Sequence, residues 1–167
     1  MHQARRIPIR RALRKTMKTP EEQLRDARKC TERLINVRER SSTELYRRLL
    51  RAGISEDVAN REVENAIVTG LVDDERFAQM YIESKKRGGW GKNHIEAKLR
   101  FFGIEIRGYE GYPERFFNEN EELCRAEEYL KRFHTTSKDP RTACFRRLTS
   151  RGYSLETAQT VLKKLTI

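Results

Sequence analysis

The chain has 167 residues, with 36 lysines and arginines against 25 aspartates and glutamates and a formal net charge of +11. Charged and hydrophobic residues each make up 37%, glycine and proline are few, and this mixture favours a short array of exposed helices over strands. It excludes a transmembrane helix, because no apolar run approaches the roughly 18 residues a span needs, and a disulfide framework, because Cys30, Cys124 and Cys144 are odd in number and far apart.

The charge excess points to a polyanionic partner: nucleic acid, a nucleoprotein filament or an anionic membrane surface. Up to Lys18 the chain carries Arg5, Arg6, Arg10, Arg11, Arg14, Lys15 and Lys18 and no acid. Residues 1–18 read as a disordered basic arm; Pro8 and the shortage of serine count against an organellar leader. Unpaired cysteines suit reduced, structural thiols, so the cytoplasm is the expected location.

Ordered structure is predicted from Thr19. Thr19 suits a helix N-cap, Pro20 the first helical position, and Glu22 the acid of a capping box. That helix runs to about Val37, with Leu24, Ala27, Cys30, Leu34 and Val37 on one face. Ser41 and Glu44 stand in capping-box register for a second helix, which buries Leu45 and Leu49 and ends at Gly53. Ser55 caps a third, with Val58, Ala59, Val63, Ala66 and Ile67 inward. Residues 19–72 therefore form a first three-helix module.

Asp73-Asp74-Glu75 opens a second module, residues 73–119, with Asp73 or Asp74 as N-cap and Phe77, Ala78, Tyr81 and Ile82 facing inward. Gly88-Gly89-Trp90-Gly91 is a loop, and Lys92 to Phe102 is the next helix. Gly108, Gly111 and Pro113 oppose a continuous third helix, leaving a short helix near Pro113 to Asn118 or an irregular segment. The third module, residues 120–167, has Leu123, Ala126, Leu130 and Phe133 on its first helix. Asp139-Pro140 starts its second and Ser154 its last, where Leu155, Ala158, Val161, Leu162 and Leu165 face inward.

One segment recurs through these modules: Leu45–Ile54, Ile95–Ile104 and Cys144–Tyr153, spaced by 49 to 50 residues. In each copy a Leu stands four residues before a Gly, and an apolar or aromatic residue follows the Gly. That Gly suits the left-handed position that ends a helix. The period marks an array of small helical units. The expected fold is all-α: three tandem three-helix modules of helix-turn-helix character in an elongated array.

No constellation in the sequence calls for catalysis. His2, His94 and His134 share no motif, and no Cys/His set has zinc spacing. Gly91-Lys92 is not the end of a phosphate-binding loop, because Lys86 stands where the first Gly belongs and Asn93 replaces Ser or Thr. Helix capping accounts for Asp73, Asp74 and Glu75 without a metal ion. No enzyme activity, cofactor or metal is expected.

The basic residues carry more information. Arg47, Arg48 and Arg51 recur as Lys98 and Arg100, then as Arg146, Arg147 and Arg151. The pairs Arg47/Arg51 and Arg147/Arg151 are four apart, so each shares a helix face. Stacked modules would align these faces along one basic groove, and arginine's planar fork suits phosphate or carboxylate. Arg87, Trp90 and Lys92 sit in or beside the Gly-rich loop. Trp90 suits stacking on a base, anchoring a partner, or packing under its own loop.

Residues 21–165 resemble the RecX regulatory proteins. The likeness rests on Leu71-Val72-Asp73-Asp74-Glu75-Arg76-Phe77-Ala78, joined to the Gly91, Ile95, Leu99, Gly103-Ile104 series. Arg147-Leu148 and Arg151-Gly152-Tyr153 are its best matches in the third module. The Gly108–Pro113 segment departs from the family's usual helix. The resemblance implies a regulator that binds the RecA recombinase and its filament on single-stranded DNA and inhibits recombinase activity in recombination and repair. A monomer with weak, salt-dependent affinity for single-stranded DNA is expected. The competing reading is a tandem helix-turn-helix protein that binds DNA without a recombinase, suggested by the Leu50–Ser55 turn.

Overall fold

The computed structural model describes residues 18–165, so the expected basic arm lies, apart from Lys18, outside the described residues. Eight α-helices fill this span: α1 (Pro20–Ile35), α2 (Ser42–Arg51), α3 (Glu56–Val68), α4 (Asp74–Arg87), α5 (Lys92–Phe101), α6 (Glu119–Lys131), α7 (Pro140–Ser150) and α8 (Leu155–Lys164). Among the described residues there is no strand, and the fold is all-α.

The helix starts follow local chemistry. The Thr19 hydroxyl accepts from the Glu22 amide at 3.2 Å while the Glu22 carboxylate accepts from the Thr19 amide at 2.9 Å, closing a full capping box. Ser41 caps α2, accepting from the Glu44 amide at 3.1 Å. Glu44 does not complete that box; its carboxylate pairs instead with Arg38 and Arg40 of the α1–α2 connection. Asp73, Asn118, Asp139 and Ser154 cap α4, α6, α7 and α8 through their side chains, each cap contributing about 1 kcal/mol. Ser55 sits at the N-cap of α3 without a side-chain bond; its amide donates instead to Gln23 Oε1 at 3.0 Å.

The repeated Leu-to-Gly spacing has one physical cause in all three copies. Gly53, Gly103 and Gly152 take φ of 84°, 81° and 84°. The residue after each Gly donates its amide back to the carbonyl of the repeated Leu: Ile54 to Leu49 at 3.2 Å, Ile104 to Leu99 at 2.9 Å, Tyr153 to Leu148 at 3.2 Å. This is a Schellman ending, in which a hydrophobic contact spans the turn. Leu49, Leu99 and Leu148 are all 0% exposed, and Ile54, Ile104 and Tyr153 are buried with them.

Three hydrophobic clusters result. The first joins α1, α2 and α3 with Val72. The third joins α6, α7 and α8 with Tyr153. The middle cluster departs from three helices. Only α4 and α5 are α-helical there; a single 3-10 turn covers Ile106–Gly108, and hydrogen-bonded turns rather than a helix span 110–116. Gly111 at φ 78° and Pro113 break the helical path. Burial of Ile106, Phe116 and Phe117 replaces the missing apolar face. Buried Glu96 on α5 ties the segment down by accepting from Arg107 at 2.8 Å and from the Tyr112 hydroxyl.

Three expected core positions lie outside. Val37 falls beyond the end of α1, and Ile67 and Leu155 face outward on their helices, all three exposed. Cys124 is likewise exposed, while Cys30 is half-buried and Cys144 buried; all three thiols are free.

Candidate nucleic-acid and protein interface

The units meet at two junctions built alike. At each, the N-terminus of the second helix of one unit receives the C-terminal end of the second helix of the next. At the first, the Ser41 hydroxyl donates to the Phe102 carbonyl at 2.9 Å and Arg47 donates to the Phe101 carbonyl at 2.9 Å. At the second, the Gly91 amide donates to Arg151 O at 2.9 Å and the Asn93 amide to Gly152 O at 3.0 Å. A carboxylate from the following unit caps each N-terminus from outside. Asp74 accepts from the Ser42 amide at 2.7 Å and its hydroxyl at 2.6 Å, and Glu122 accepts from the Lys92 amide at 2.9 Å.

This assigns the Asp73–Ala78 motif residue by residue. Asp73 caps its own helix, Asp74 caps α2 across the junction, and Arg76 pairs with Glu39 at 3.0 Å. Phe77 and Ala78 are buried. Among the described residues no group of acids, histidines and cysteines is placed to hold a metal ion.

The expected binding residues fall into separate places rather than one groove. Arg47 is committed to the first junction, where it and Lys98 flank the exposed Phe101 ring at 5.2 and 6.0 Å from its centroid. Arg87, Arg147 and Arg151 come together in a cavity of about 360 Å³ at the second junction. Trp90 packs under its loop: it stacks on His94 with centroids 3.9 Å apart, and the Arg151 guanidinium covers it at 4.3 Å. Lys92 leaves this group and lies over Tyr112 at 5.0 Å, facing a second cleft. It sits six residues before Lys98, which separates the two by about 120° around α5. Arg48, Arg51, Arg100 and Arg146 are exposed, and their side chains form no hydrogen bond or ion pair among the described residues.

Cations and aromatic rings gather at the second junction. Arg147 lies over Phe133 at 5.3 Å and Tyr129 at 5.7 Å, and Arg151 lies over Tyr129 at 4.6 Å. Arg151 also donates to the Gly88 carbonyl at 3.2 Å. Burial, then the charges of Lys98, Lys85 and Arg151, pushes the His94 pKa below its ordinary 6.5, which favours the neutral ring stacked on Trp90. Burial pushes the Tyr153 phenol up to about 12 against the pull of Arg125.

Sequence reasoning missed the α6 side of this cavity, where Arg125, Tyr129, Arg132 and Phe133 contribute. The signal was present, since Tyr129 stands four residues after Arg125 and three and four before Arg132 and Phe133, which places them on neighbouring turns of one face. It was hidden by Glu121, Glu122, Glu127 and Glu128, which make α6 read as an acidic helix.

A family model described as RecX, second three-helix domain, matches residues 73–105. A regulatory protein RecX from Mycobacterium avium (strain 104) is 32% identical over 152 residues, covering 83% of this chain and 84% of that protein. One from Mycobacterium ulcerans (strain Agy99) is 32% identical over 140 residues, covering 77% and 78%. The crystal structure of RecX from Lactobacillus salivarius superposes with a TM-score of 0.72 at 14% identity, covering 87% of this chain and 98% of that one.

Proposed function

The chain belongs to the RecX family of regulatory proteins, and from that premise we propose that it binds the RecA recombinase on single-stranded DNA and restrains recombinase activity in recombination and repair. The action is steric and electrostatic and needs no catalytic group. A monomer with a net charge of +11 repels its own copies and is drawn to a polyanionic filament in the cytoplasm. Its working units are proposed as residues 19–72, 73–119 and 120–167.

The observation that carries this reading is the set Arg48, Arg51, Arg100 and Arg146. These guanidiniums are exposed on or beside the junction helices and are not consumed by any bond among the described residues, so their donors are available to phosphate or carboxylate. Arg87, Arg147, Arg151, Lys98 and Trp90 support the same surface from the junctions, and Lys92 stands apart in the second cleft.

The helix-turn-helix reading fares worse. It would press the N-terminal turn of α3 against base edges. That turn carries Glu56 and Asp57, and the helix has only Arg61 against four acids, which phosphate repels.

The test is recombinase ATP hydrolysis on single-stranded DNA, titrated with this protein and with an R48E/R51E/R100E/R146E variant. Inhibition is expected to weaken at least tenfold at unchanged helicity. In direct single-stranded DNA binding, each lost phosphate contact lowers the slope of log affinity against log salt by about 0.7. Undiminished inhibition by the variant removes these arginines from the mechanism, and sequence-specific duplex binding by the protein alone restores the competing reading.

A further inference from the structure

The cavity at the second junction holds more positive charge than the structure neutralises. Its lining carries six cations, Lys86, Arg87, Arg125, Arg132, Arg147 and Arg151, and one carboxylate, Glu128. Two further carboxylates offset the first and third of these cations: Glu83 pairs with Lys86 at 3.0 Å and Glu121 with Arg125 at 3.7 Å. Three positive charges remain without a counterpart in a space of about 360 Å³.

Several donors are also held in place without being used, although Arg151 spends one N–H on the Gly88 carbonyl. Tyr129, Phe133 and Trp90 fix the planes of Arg147 and Arg151 by cation–π contact, which consumes none of their N–H groups. Nε and Nη2 of Arg125 have no hydrogen-bond partner among the described residues, although that side chain is only 16% exposed. Fixed guanidinium forks with unspent donors suit tetrahedral oxyanions.

We propose that this cavity is a binding site for a diphosphate group, either free pyrophosphate or the terminal phosphates of a nucleoside di- or triphosphate. The charge selects the ligand. A terminal phosphate carries about −1.5 to −2 at neutral pH, so two joined phosphates match the uncompensated charge within one small space. A phosphodiester strand would bring one charge per nucleotide and would have to thread through it. Because Lys86 and Arg87 come from the end of α4 and the other four cations from α6, α7 and the residues that cap their C-termini, the ligand bridges two units and braces their junction. Arg87, Arg147 and Arg151 are shared with the proposed recombinase-facing surface, and titration with small phosphates reads this site without recombinase present.

Calorimetric titration of the full chain with pyrophosphate, ADP, orthophosphate and adenosine tests it. Pyrophosphate and ADP are expected to bind one per chain, orthophosphate at least tenfold more weakly, and adenosine not at all. Equal affinity for pyrophosphate and ADP identifies the free diphosphate as sufficient, and tighter ADP identifies a nucleotide. The side chains of Arg87 and Arg132 make no hydrogen bond or ion pair among the described residues, so an R87A/R132A variant should keep its melting temperature and lose at least tenfold in pyrophosphate affinity. Pyrophosphate should also shift the fluorescence of Trp90, which lies under Arg151. Absence of binding at millimolar pyrophosphate, undiminished affinity in the variant, or a cavity that responds only to single-stranded oligonucleotide would each overturn the assignment.

Discussion

The three repeat glycines provide an internal control on how the units are joined. All three take the left-handed conformation, which costs an L-residue about 1–2 kcal/mol, so alanine carries the same backbone penalty at each. Their surroundings differ. A Cβ on Gly53 meets nothing within 4 Å, one on Gly103 falls inside 3 Å of the Thr43 hydroxyl, and one on Gly152 falls inside 3 Å of the backbone N and Cβ of His94. Thr43 and His94 stand at the starts of α2 and α5, so the added methyl pushes two units apart. Overpacking of this kind costs a further 1–3 kcal/mol or so. Gly53→Ala should therefore destabilise by about 1 kcal/mol, the strain being partly offset by a stiffer unfolded chain. Gly103→Ala and Gly152→Ala should each cost about 2–4 kcal/mol. With a urea slope of about 2 kcal/mol per molar, the latter two midpoints fall by about 1–2 M and the first by about 0.5 M, read by circular dichroism. Equal losses at the three sites, or a greatest loss at Gly53, would refute the claim that these glycines hold the units together.

Two further expectations concern titratable groups. The folded pKa of His94 is depressed, so its contribution is present above the ordinary value of 6.5 and is lost as pH falls through the folded value. Acidification below 6.5 should loosen the Trp90 stack and change the emission of that lone tryptophan, whereas His94→Phe should respond less; an identical acid response would dismiss the mechanism. Buried Glu62, 2% exposed, leaves Oε2 without a hydrogen-bond partner among the described residues. Burial raises its pKa from 4.5, with Thr31 and Arg28 offsetting this only in part. Its stabilising contribution is complete below 4.5 and declines as pH rises through the folded value. Glu62→Gln should thus raise the melting temperature at pH 7 relative to the parent but not at pH 4. A variant less stable at both pH values would show that the carboxylate is satisfied.

The sequence made local chemistry legible and left contacts between units obscure. Thr19-Pro20, Asp139-Pro140 and Ser154 announce helix starts because a cap is decided within four residues. The repeated Leu and Gly announce helix ends for the same reason. Asp74 resisted reading, since its partner Ser42 is 32 residues away and nothing local distinguishes a cap in trans from an ordinary first-turn acid. The middle unit was legible in what it lacks, through Gly108, Gly111 and Pro113. It was not legible in what it uses instead, because Phe116 and Phe117 enter the core from turns with no period.

The same distinction governs the arginines. Arg47 and Arg146 hold corresponding positions in the first and third copies. Their sequence surroundings are similar, yet one is tied to the Phe101 carbonyl of the next unit and the other is exposed with no side-chain hydrogen bond or ion pair among the described residues. No unit follows the third within those residues, so the position that closes a junction in the first copy presents its guanidinium to solvent in the last. Gly53 is the converse case, a helix end whose counterparts Gly103 and Gly152 each receive a neighbour while it receives none. An array of repeats thus spends its polar groups at internal junctions and leaves the same groups unspent at its ends. Charge periodicity alone could not separate the two, because stacking, rather than the repeat, decides which arginine meets a carbonyl and which remains available to a phosphate.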